Sequence, residues 1–134
     1  MPKQNTNIIE TLHQLSNIPG VSGDESKVRN AIQPLVQDYV DNVQVDALGN
    51  LITYKKGTGE LPLRVMLTAH MDEVGLMVVE YNSDGTLQFE SIGGIPSRIL
   101  PGLHVSVGNK QIPGVTSPSS QSFVYATGSA SVIE

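Results

Sequence analysis

The chain has 134 residues, 8 Lys and Arg against 13 Asp and Glu, a formal net charge of −5 and no Cys. That length suits one ordinary domain, and the absent thiols exclude a disulfide framework, a zinc ribbon and a cysteine nucleophile. The acidic balance argues against nucleic acid, which selects basic faces; 4 Tyr, 2 Phe and no Trp are too few for a base-stacking platform. The first residues, Met-Pro-Lys-Gln-Asn-Thr-Asn, contain no apolar run of the signal-peptide kind. No stretch approaches the roughly 18 apolar residues of a spanning helix. The expectation is a cytoplasmic protein without membrane contact.

In chain order, Ile8, Ile9, Leu12 and Leu15 follow the spacing of a helix with one buried stripe, with Thr6 as its predicted N-cap and Glu10 in its first turn. Ile18-Pro19-Gly20 stops it. Ser22 and Glu25 have the spacing of a capping box for a second helix reaching about Tyr39. Its stripe is Val28, Ala31, Ile32, Leu35, Val36 and Tyr39, and Pro34 should kink it. Beyond Asp41 the period changes to 2. Val43 and Val45 mark one strand, Leu48-Gly49-Asn50 a turn, and residues 51–54 a second strand. Residues 64–69, Arg-Val-Met-Leu-Thr-Ala, are nearly all apolar and predict a strand covered on both faces.

Residues 75–81 predict another strand, 82–85 a hairpin turn, and 86–92 its return, with Leu87 and Phe89 on one face. Gly93-Gly94-Ile95-Pro96 breaks the pattern. Leu103, Val105 and Val107 alternate again, Gly108-Asn109 turns, and Ile112 begins a last strand. Between Gln111 and Ile133 there is no charged residue, and six of the last 18 residues are Ser. A flexible low-complexity terminus and a terminal strand pair are both open for this stretch.

The strongest chemical signal is His70-Met71-Asp72-Glu73-Val74-Gly75, directly after the apolar run. Side chains two apart on an extended chain face the same side, so His70 and Asp72 should be neighbours at the end of a strand, where open α/β sheets build sites. A neutral imidazole suits Zn or Co, and a carboxylate beside it can hold the other ring N–H. The plainer alternative is a His bonded to backbone with Asp72 and Glu73 solvated beyond the strand end. It is the commoner outcome of so short a pattern.

His70-Met71-Asp72-Glu73-Val74-Gly75 resembles the first metal motif of the glutamyl aminopeptidase family, cytosolic two-metal aminopeptidases that build tetrahedral dodecamers, some of them called endoglucanases. Four further segments match in order: residues 18–25 (Ile-Pro-Gly-Val-Ser-Gly-Asp-Glu), 46–51 (Asp-Ala-Leu-Gly-Asn-Leu), 92–94 (Ile-Gly-Gly) and 112–115 (Ile-Pro-Gly-Val). Five ordered motifs across about residues 7–115 are far more specific than any one of them.

The resemblance implies an α/β fold: the N-terminal part of a two-metal aminopeptidase domain over residues 1–77, the start of an inserted small β domain of oligomerisation type over 78–115, and a Ser-rich tail outside the family pattern over 116–134. It implies His70 as a metal ligand and Asp72 as the active-site carboxylate that orients it. It further implies two divalent ions, Zn or Co, in the complete site, peptide substrates and a homo-oligomer. The remaining ligands and a general-base Glu would come from later in the family's chain. After Glu73 the carboxylates here are Glu80, Asp84, Glu90 and Glu134, and the sole later His is His104. At most a partial metal site is therefore expected, and an incomplete chain without activity alone. Apolar faces near residues 63–69 should then stand uncovered.

The alternative from another class is a non-catalytic β-rich interaction or oligomerisation module, whose strands pair edge to edge with another chain. Other signals are weak. Gly57-Thr58-Gly59 lacks the Lys and following helix of a phosphate loop, and Ser119 and Ser120 lack nucleophile-elbow spacing. His13 and His104 are expected at the surface. Glu73 is open between supporting the site and being merely solvated.

Overall fold

The computed structural model describes residues 7–60, 63–117 and 122–125, the last four by their backbone. The chain divides into two compact units, Met1–Glu73 and Val74–Glu134.

In the first unit, α1 spans Ile8–Ser16. Its cap is Asn7, whose side-chain oxygen accepts from the Ile9 amide at 3.1 Å; the predicted cap, Thr6, lies outside the described residues. The predicted stripe is present but uncovered: Ile8, Ile9 and Leu12 are exposed, and no residue of α1 is buried. Apolar periodicity records a face that needs a partner and does not supply one.

The second helix, α2, spans Ser26–Val36 and passes into a 3₁₀ turn over Gln37–Tyr39, so the predicted helical path to Tyr39 is travelled in two forms. Pro34 lies within α2 near its C-terminal end. Val28 is the buried member of its stripe. The predicted capping box is not formed. Glu25 stands at the N-cap without a side-chain cap bond and accepts instead from the Gly23 amide at 2.6 Å. The Ser22 oxygen accepts no amide of α2, and its hydroxyl donates to Asp72.

A hairpin follows. β1 (Asn42–Val45) and β2 (Leu51–Tyr54) pair antiparallel, Val43 opposite Thr53 and Val45 opposite Leu51. Asp46 ties the turn by accepting from the Leu48 and Asn50 amides at 3.0 and 2.9 Å and from the Asn50 side chain at 2.8 Å. The strand predicted over residues 64–69 is absent: residues 63–70 carry neither helix nor strand, and Leu63, Val65, Met66 and Leu67 are exposed. Strand structure needs a ladder partner, and the described residues give this run none, however apolar it is.

The second unit is an antiparallel sheet of five strands in the order β3-β4-β7-β6-β5. β3 is Gly75–Tyr81, β4 Leu87–Ile92, β5 His104–Val107, β6 Ile112–Thr116 and β7 Ser122–Tyr125. β3 and β4 form the predicted hairpin with a register shift between Val78 and Glu80. The division between the two units falls between Glu73 and Val74, just before β3.

The core holds Leu87 and Phe89, the two residues predicted to share a face of β4, packed by Leu76, Val78, Leu100, Val105 and Val107. Burying each of the two contributes roughly 1.5–3 kcal/mol. Thr116 is also buried, and it is fully bonded: its hydroxyl donates to the Leu100 carbonyl and accepts from the Leu103 amide at 2.9 Å. The terminal stretch contributes β7, which pairs with both β4 and β6 and so joins the two hairpins into one sheet. Among the described residues no helix is long and apolar enough to cross a membrane.

Candidate metal site

His70 and Asp72 lie where residues 71–73 meet the loop after α1. Val21 and Glu73 form a parallel bridge. Around it the Glu73 amide donates to the Gly20 carbonyl at 2.8 Å, and the Glu73 carboxylate accepts from the Gly20 amide at 3.1 Å. Glu73 thus grips both backbone groups of Gly20. This fit requires glycine: a Cβ on Gly20 would stand 2.6 Å from Cγ2 of the buried Val28 and 3.5 Å from the Met71 carbonyl oxygen.

With the two segments fixed, the expected pair forms. His70 Nδ1 lies 3.0 Å from Asp72 Oδ1 and 3.0 Å from the Asp72 carbonyl oxygen. Both partners accept, so Nδ1 carries the proton and donates. Nε2 is left with its lone pair outward and no hydrogen bond among the described residues. The side chain is 85% exposed, so nothing seals it from solvent. That is the tautomer and orientation a metal ligand needs. The pair therefore assembles without the strand predicted to carry it: two-residue spacing suffices when residues 71–73 are held by Gly20 and Val21.

The other carboxylate oxygen of Asp72 accepts from the Ser22 hydroxyl at 2.5 Å. This bond, ahead of the one from His70, holds the Asp72 carboxyl below the usual carboxylate range, against a smaller opposing effect of burial. Asp72 is thus an anion with both oxygens engaged. Ser22 is the member of the site that spacing rules missed, because its local pattern reads as a helix cap. Glu73 is placed one step out, bonded to the backbone that presents Ser22. His13 and His104 are exposed, as expected, and neither joins the pair. Ser119 and Ser120 lie outside the described residues. Among the described residues no group of three or more His, Cys, Asp and Glu side chains is arranged to hold a metal ion. The donor set these residues offer is one imidazole with a fixed tautomer. It fits a single coordination position.

Comparison with known proteins agrees with the motif series. Residues 49–132 match the family described as M42 glutamyl aminopeptidase. The match runs past Val115, where the short motifs end. A putative aminopeptidase of Acetivibrio thermocellus is 38% identical over 108 residues, which are 81% of this chain and 32% of that protein. A crystal structure of an endoglucanase from Thermotoga maritima superposes with a TM-score of 0.70 at 46% identity, covering 78% of this chain and 32% of its own. The TET1 peptidase of Pyrococcus horikoshii, described as able to assemble into a tetrahedron or a large octahedral shell, superposes with a TM-score of 0.70 at 38% identity, covering 85% of this chain and 34% of its own. This chain thus spans about a third of the length of these relatives.

Proposed function

Because the chain belongs to the M42 glutamyl aminopeptidase family, we propose that it carries the N-terminal part of a metal-dependent aminopeptidase site. His70 is a ligand through Nε2 to one of two divalent ions, Zn or Co, and Asp72 is the carboxylate that orients it. Such a metal pair would supply a water activated for attack and would polarise the scissile carbonyl. The part played by this chain's own groups is narrower. Asp72 keeps the His70 proton on Nδ1, which leaves the Nε2 lone pair free to ligate. Ser22 and Glu73 keep that arrangement in place from the neighbouring loop. The substrate class is peptides with a free N-terminus, and the protein self-associates, as the P. horikoshii relative does. The first unit is read as the start of the catalytic domain and the second as the start of the inserted β domain.

The observation that carries this reading is the His70–Asp72 contact at 3.0 Å on a solvent-open imidazole. One imidazole cannot hold two metals, so the isolated chain is expected to be inactive. The test is hydrolysis of aminoacyl-p-nitroanilides by the purified chain with added Zn or Co. Background turnover is the expected result. Robust metal-dependent turnover overturns the incomplete-site half of the reading. Its loss in His70→Ala would then place the catalytic role on His70 and eliminate the β interaction module, which has in its favour two outer strands, β3 and β5, at the sheet edges.

A further inference from the structure

We infer that Ser22 is the positioning residue of this site: its hydroxyl fixes the Asp72 carboxylate in the orientation that selects the Nδ1–H tautomer of His70. The inference deepens the proposed function and draws its purpose from the reading of His70 as a metal ligand, although the geometry behind it needs no metal.

A carboxylate two residues from an imidazole can turn about two side-chain bonds. Held by the imidazole alone, it has many orientations in which Nδ1 keeps only the Asp72 carbonyl oxygen, also at 3.0 Å, and loses the stronger, charged acceptor. Here both oxygens are assigned. Oδ2 takes the Ser22 hydroxyl at 2.5 Å, and Oδ1 faces His70 Nδ1 at 3.0 Å. A hydroxyl donating to an anion makes one of the stronger hydrogen bonds available to a neutral side chain. It also has one donor to give, so it occupies Oδ2 and leaves Oδ1 to the ring.

The loop that presents Ser22 is itself fastened. Glu73 bonds Gly20 through both its amide and its carboxylate, and the Asp24 amide donates to the Val21 carbonyl at 2.8 Å. Gly20 is buried with no room for a side chain against Val28. Ser22 is therefore delivered to Asp72 by backbone bonds on either side of it. α2 starts at Ser26 with Glu25 at its N-cap, so the Ser22 oxygen caps no helix, and its hydroxyl proton goes to a carboxylate fifty positions away.

The experiment is nitrogen NMR on the full chain labelled with 15N-histidine, at about pH 8, where an ordinary imidazole is neutral. The His70 signals are identified by their loss in His70→Gln. If the chain associates, magic-angle-spinning spectra of the sedimented protein give the same readout. In the parent chain the Nδ1–H form of His70 should dominate. In Ser22→Ala the ratio of Nδ1–H to Nε2–H should fall about fivefold, the worth of one ordinary net hydrogen bond. Ser22→Thr keeps the hydroxyl and should keep the parent ratio. A ratio unmoved in Ser22→Ala, or lost equally in Ser22→Thr, overturns the inference. Should Ser22→Ala fail to fold, Ser22→Cys, close in shape with a weak donor, takes its place: a fallen ratio supports the inference and an unmoved one overturns it. Excess zinc chloride, added to the parent chain, addresses the other reading separately. A His70 Nε2 signal that ignores zinc while the tautomer still answers to Ser22 removes the metal-ligand assignment and leaves the positioning role standing.

Discussion

Asp46 shows how one side chain can set a local acid response. Its carboxylate receives the Asn50 side chain and the amides of Leu48 and Asn50. These bonds, the Asn50 side chain first, hold its pKa below the ordinary value of 3.8. A carboxyl whose native pKa is depressed contributes stability that is fully present above the unfolded value and is lost as pH falls through the native one. We expect urea midpoints of the parent chain to be flat above about pH 5 and to decline below about pH 4. Asp46→Asn should lower the plateau and make the decline shallower. An equal decline in parent and variant would show that the turn carries no linked proton. At this scale the sequence is informative about pairs close in the chain. His70 and Asp72 are two residues apart, and their contact follows from an extended backbone. The Ser22 contact is not legible, because a hydroxyl near a helix start has a local use that competes with any distant one, and Asp72 is fifty positions away.

The turn between β1 and β2 is also the clearest case of an element resting on one residue's backbone. Gly49 has φ +87°, and a Cβ there would lie 2.9 Å from Arg29 Nη1, the group that donates to the Gly49 carbonyl at 2.9 Å. Gly49→Ala should destabilise the first unit by about 1–2 kcal/mol, the cost of left-handed backbone for an L-residue, read as a lower urea midpoint with unchanged slope. An unchanged midpoint would mean the turn had re-formed without positive φ. Two of the hairpins are legible for the same reason: Leu48-Gly49-Asn50 and Asn82-Ser83-Asp84-Gly85 carry their turn chemistry locally, and alternation on either side sets the register. The run over residues 64–69 misleads because local composition states what a strand would need and not what lies beside it. β7 stays open in the sequence for the complementary reason. Its place between β4 and β6 depends on pairings with Leu87 and with Thr116, and a charge-free, Ser-rich stretch gives no local sign of either partner.

For the molecule as a whole, the decisive quantity is apolar surface left to water. Leu63, Val65, Met66 and Leu67 are between 80% and 92% exposed and adjacent in sequence, and Ile8, Ile9 and Leu12 are also exposed. Isolated exposed apolar residues are ordinary, but four within five positions form a strand-prone segment whose backbone has no ladder partner among the described residues, which is the form that recruits another chain edge to edge. A net charge of −5 opposes association only weakly, because charged groups are sparse along this segment: Arg64 is its one charge. The chain should therefore run above monomer mass in size-exclusion chromatography with light scattering and should bind an apolar dye. Replacing Val65 and Leu67 together by Lys should shift it toward monomer and reduce dye binding several-fold, because charge on an exposed edge suppresses pairing. The same double variant should leave the unfolding midpoint of the second unit unchanged, since none of that sheet's core residues is altered. A parent chain that is monomeric, dye-silent and sharply cooperative in thermal unfolding would mean that the 63–67 segment finds cover in solution and does not drive association.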